Sequence, residues 1–73
     1  MKKYTTEKMT ALIGMLKHTN LSKEQIMVLS ASISTEKCSD EIAEMLIRNK
    51  ENLKEIPQQS MMNMCGKIIE RYL

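Results

Sequence analysis

Residues 56–73, IPQQSMMNMCGKIIERYL, carry the reading that decides the fold class. Proline suits the first position of a helix, where its missing N–H costs nothing, so Pro57 is expected to open one. From there Met61, Met64, Cys65, Ile68 and Tyr72 recur at helical spacing and make one broad apolar face. At about 100° per residue, Met62, Ile69 and Leu73 fall along one edge of that face, while Gln59, Asn63, Gly66, Lys67, Glu70 and Arg71 fill the other side. A helix this apolar needs cover, and the preceding residues supply three more amphipathic segments.

Immediately upstream, Ile56 is biased out of the helical region by the proline after it, so an earlier helix must end before this point. That helix is expected to be capped by Ser39, with Asp40 and Glu41 in its first turn and Arg48, Lys50 and Lys54 towards its end, matching both ends of the helix dipole. Its inner face would be Ile42, Met45, Leu46, Asn49 and Leu53. Residues 34–38 read as a connection of small and polar residues. Before it, Ser22 and Gln25 form a capping-box pattern, with Leu21 placed to staple onto Ile26. Ile26, Leu29, Ser30 and Ile33 make one face of that helix, and Met27, Val28 and Ala31 lie outside it, which predicts a central helix that is apolar over most of its circumference. The first helix starts after Thr5 or Thr6, turns Met9, Leu12, Ile13 and Leu16 to one side, and is broken by Thr19 and Asn20.

The reading is an all-α chain with helices over residues 5–18, 22–34, 39–54 and 57–72, and with no alternating run long enough for a strand. One compact domain spanning 1–73 is expected, arranged as a bundle or an orthogonal array, with the first few residues disordered. A chain of 73 residues buries only about 60% of the surface its unfolded form exposes, so its stability margin is small. The core must be built without Trp or Phe, and eight Met, which pack into irregular gaps, replace the missing aromatics.

Two cysteines, Cys38 and Cys65, make no disulfide framework and read as reduced thiols. Polar residues from Thr5 to Thr10 interrupt what could have been a signal peptide, and no stretch approaches the roughly 20 apolar residues of a spanning helix. A cytoplasmic location and no membrane association are therefore expected. The formal charge of +2 implies no partner by itself, but Lys2, Lys3, Lys8 and Lys17 crowd one end, and Glu36, Asp40, Glu41 and Glu44 make an acidic corner.

Residues that carry enzyme chemistry are sparse. His18 is the single histidine and sits where it would meet the last carbonyls of the first helix. No nucleophile elbow or phosphate-binding glycine loop is present, and Gly14 and Gly66 read as points of close helix contact. Cys65 reads as a small core hydrophobe, and Cys38, near a helix start, as the more reactive thiol. Cys38, Cys65 and His18 share no metal-ligand spacing, and Asp40 with Glu44 lacks a calcium-loop pattern. The protein is expected to be no enzyme, with no metal and no cofactor.

The middle two helices invite comparison with a helix-turn-helix, but Asp40 and Glu41 would meet phosphates with negative charge. A basic surface of Lys2, Lys3, Lys8 and Lys17 leaves nucleic-acid binding as the alternative function. The favoured reading is a protein-interaction or regulatory module. Once each inner face is assigned, Ala11, Met15, Val28, Ala31, Ile47, Met62, Ile69 and Leu73 remain. Met62, Ile69, Leu73 and Ile47 are the candidate contact residues, and the partner would be another protein or a second copy in a homodimer. The competing reading is that one tightly wrapped chain buries them all.

Overall fold

The computed structural model describes residues 6–73 and contains four helices, α1 (Thr6–Leu16), α2 (Lys23–Ser32), α3 (Glu36–Arg48) and α4 (Gln58–Glu70), with no strand among the described residues. This is the all-α architecture of four short helices that periodicity implies. A start at Thr5 and disorder of the first few residues concern positions outside the described range.

Polar side chains at the joints set where the helices stop. The Thr19 hydroxyl donates to the Leu16 carbonyl at 2.5 Å and accepts the Leu21 N–H at 3.2 Å, closing the end of α1. The capping box of α2 forms as its residues imply: the Ser22 hydroxyl accepts the Gln25 N–H, and the Gln25 side chain accepts the Ser22 N–H at 2.9 Å. Leu21 and Ile26 are both buried, and so is the whole face of Ile26, Leu29, Ser30 and Ile33.

The start of α3 differs from the expectation. Thr35, not Ser39, caps it, accepting the Cys38 N–H at 3.1 Å, and Ser39 lies inside the helix on its buried side. The earlier start adds a turn whose inner residue, Cys38, is wholly buried above Ile42, Met45 and Leu46. A Ser39 cap would have left that thiol in a loop. Asp40 and Glu41 consequently sit beyond the first turn and act through partners on other helices.

The end of α3 differs too, at Arg48 instead of residue 54. The Asn49 side chain donates to the Met45 carbonyl at 2.7 Å, and beyond it the chain winds through single turns, with Asn52 N–H on Asn49 and Glu55 N–H on Asn52. A clasp fixes this segment from outside. The Asn20 side-chain amide donates to the carbonyls of Lys54 and Ile56, and the Gln58 amide donates to the Asn20 carbonyl at 2.6 Å. The α1–α2 joint thus holds the α3–α4 connection.

One core joins the four helices: Leu12 and Leu16 of α1, Ile26 and Leu29 of α2, Ile42 and Leu46 of α3, and Met61, Cys65, Ile68 and Ile69 of α4 all belong to it. The neighbours run in the order α1, α2, α4, α3 and back to α1. Consecutive helices α2 and α3 do not pack on each other, so the chain is not an up-down-up-down bundle. The joint between them, residues 33–35, is extended and buries Ile33, which carries α3 away from α2.

Two further expectations fail here. Helix α2 is not central, because Met27 is 70% exposed and Val28 57% exposed. Gly14 and Gly66 are not points of close approach, since a Cβ at either would meet nothing within 4 Å.

Candidate interaction surface

The strip expected along α4 does not exist as a surface. Ile69 is 7% exposed and part of the core, and Met62 is half-buried against it. Helix α4 sits between α2 and α3, so two neighbours cover a wider arc of it than the single face that periodicity marks. Leu73, 90% exposed, stands alone beyond the end of α4. Ile47 is 56% exposed and belongs to a different place, an open cleft of about 530 Å³ between the ends of α1 and α3. There Met15, Leu46 and Leu53 make an apolar floor, while the rim mixes His18, Lys50 and Lys54 with Glu51 and Glu55.

The largest exposed apolar side chains that adjoin one another are Met27 and Val28, on the outer face of α2. Met27, though not Val28, lines a groove of about 470 Å³ between α1 and α2. Ile13 and Lys17 form its α1 wall, Lys23 and Met27 its α2 wall, and Ile26 and Ser30 its floor. These pairs are spaced by four, one turn along each helix, which is why each wall is a continuous ridge. The Ser30 hydroxyl donates to the Ile26 carbonyl at 2.8 Å, so the floor presents no unsatisfied hydroxyl proton to solvent. No carboxylate lines the groove, and the exposed Glu24 is not among its lining residues.

The expected basic surface is divided. Lys2 and Lys3 lie outside the described residues. Lys8 faces α3 and pairs with Asp40 at 2.8 Å, a hydrogen bond that holds its ammonium above the ordinary lysine range. Lys17 is on the opposite side of α1 and joins Lys23 at the groove. The first turn of α3 presents Glu36, and α3 does not rest on α2, so the geometry lends no support to a helix-turn-helix.

Glu41 is the other charged node. It accepts the Tyr72 hydroxyl proton and pairs with Arg71 at 3.2 Å, which ties the end of α4 to α3. The hydrogen bond to Glu41 pushes the Tyr72 phenol above its ordinary value, with desolvation acting in the same direction. Neither thiol is reactive by position. Cys38 and Cys65 are wholly buried and unpaired, and burial pushes the Cys65 thiol up to about 11. Desolvation, aided by Glu41, also raises Cys38 and outweighs the opposing Arg71 charge, so this thiol is a core residue and not the reactive one expected.

Among the described residues, no three His, Cys, Asp or Glu side chains gather as metal ligands would. No helix there is long and apolar enough to cross a membrane. Compared with protein-family models, with characterised proteins and with solved structures, the chain finds no match.

Of the groove residues, Met27 lies where a central α2 would not put it, on an open face, and Lys23 carries no sequence signal of its own. The signal for Met27 was present, since Met27, Val28 and Ala31 fall outside the buried face of α2. Without the helix order, however, an apolar circumference looks like centrality.

Proposed function

We propose that this protein is a non-enzymatic protein-interaction module that engages another protein through the outer face of α2. The observation that carries the reading is the adjacent exposure of Met27 and Val28 on α2, with Met27 also lining an apolar groove, in a chain too small to leave such residues open at little cost. Methionine at a surface adapts to a partner's shape, which suits recognition. The buried position of both thiols supports the non-enzymatic half, because the candidate nucleophiles are sealed in the core and held protonated.

A photo-crosslinking residue placed at position 27, and separately at positions 47 and 73, tests this in cells that express the protein. Position 27 should give discrete adducts with a protein partner, and position 73, equally apolar and more exposed, should not. Equal or weaker crosslinking from position 27 would overturn the reading. Sedimentation equilibrium assigns the partner: a dimer that Met27→Glu dissociates would make it a second copy.

A further inference from the structure

We infer that the α1–α2 groove receives an amphipathic helix of another protein whose two-turn apolar stripe ends in a cluster of aspartate or glutamate. This rests on the interaction reading above and names the chemistry of the partner.

The groove is not uniform along its length. Lys17 follows the last turn of α1 and Lys23 opens α2, so both lysines stand at the end nearest the α1–α2 joint, one on each wall. Moving away from the joint, the lining becomes Ile13 on one side and Ile26, Met27 and Ser30 on the other. Neither lysine takes part in an ion pair among the described residues; the two pairs there are Lys8 with Asp40 and Arg71 with Glu41. Asp40 and Glu41 of the acidic corner are engaged there and no carboxylate lines the groove, so its cationic mouth is left for a partner to neutralise.

Length limits the occupant. From Lys23 to Ser30 the α2 wall runs about 10 Å at 1.5 Å per residue, which is two turns of a helix lying against it. Such a helix presents apolar side chains at i, i+3 or i+4, and i+7 to Ile13, Ile26 and Met27. Carboxylates at one end then lie between the lysines. Acidic residues scattered along the stripe would meet the apolar half of the groove and be desolvated without a partner. The same asymmetry sets the direction in which the helix lies.

Three synthetic peptides test this on the full chain by fluorescence anisotropy. The first carries leucines at i, i+3, i+4 and i+7 with glutamates at one end of the stripe, the second replaces those glutamates by lysine, and the third replaces the leucines by serine. The wild-type protein should bind the first peptide, and about tenfold more weakly the second or third. The double variant Lys17→Glu/Lys23→Glu should invert the preference between the first two. Met27→Ser should weaken the first peptide by a similar factor, and Ile47→Ser, in the other cleft, should not. All four residues are exposed, and circular dichroism verifies that each variant folds.

Equal affinity for the first two peptides, with both lost in Met27→Ser, would overturn the acidic preference and leave the interaction reading standing. No binding of any peptide, or binding untouched by the groove variants, would overturn the groove as a helix site, while crosslinking from position 27 would still judge the broader reading. Self-association abolished by Lys17→Glu would also overturn it, in favour of a second copy.

Discussion

Replacing Ile69 by alanine should destabilise the protein by about 2–4 kcal/mol, whereas Leu73→Ala should change stability by less than about 0.5 kcal/mol. The two substitutions delete the same number of carbons, one inside α4 and one beyond its end, so burial is the main difference. Ile69 is 7% exposed and Leu73 is 90% exposed. At about 0.8 kcal/mol per buried methylene, losing three carbons at the sealed site costs about 2.2 kcal/mol, and the cavity left among α4 and its neighbours adds up to about 2. The same arithmetic at Leu73 gives about 0.2 kcal/mol. A chain of this length has a total stability of roughly 4–10 kcal/mol, so the first loss is a large share and the second is near the limit of measurement. Urea unfolding followed by far-ultraviolet circular dichroism reads both, with the Ile69→Ala midpoint lower by about 2 M or more and the Leu73→Ala midpoint unmoved. An Ile69→Ala protein that melts with the wild type would refute the reasoning. It would return Ile69 to an exposed strip on α4 and with it the contact surface that periodicity alone suggests.

Thr35→Ala should cost about 1 kcal/mol through the lost cap of α3, and Ser39→Ala, inside that helix, should cost clearly less; the reverse order in thermal or urea unfolding would restore Ser39 as the cap. The Tyr72 phenol is held above its ordinary value of 10.0 first by its hydrogen bond to Glu41, which favours the neutral form in the folded state. Its contribution to stability is therefore fully present below the unfolded value and is lost as pH rises through the folded one. An ultraviolet absorbance titration of a Tyr4→Phe protein should show the raised midpoint, and Glu41→Gln should bring it back down; an unchanged midpoint would remove the hydrogen bond as its cause.

Much of the architecture is legible in the residues because it rests on local chemistry. Helix α2 starts where Ser22 and Gln25 can exchange hydrogen bonds, and α4 starts directly after Pro57, which stands at the N-cap and not, as expected, at the first helical position. The core faces of α1 and α2, and Met61, Cys65 and Ile68 on α4, follow from helical spacing and are all at least partly buried. Helical spacing also places Cys65 in the core, whereas Cys38, read as the more reactive thiol, is sealed there only by packing.

The rest was decided by contacts between residues far apart in the chain. Local sequence points to Ser39 as the cap of α3, and the burial of Cys38 against the core moves the start back to Thr35. The end of α3 depends on Asn49 and on a clasp from Asn20, which no window of sequence connects to Lys54 and Ile56. Helix order decided the surface. Periodicity gives the angle at which a side chain leaves its helix but not how many neighbours that helix has, so Ile69 on α4, between α2 and α3, became core. Met27 and Val28, on a helix with nothing outside it, were left in water for the same reason.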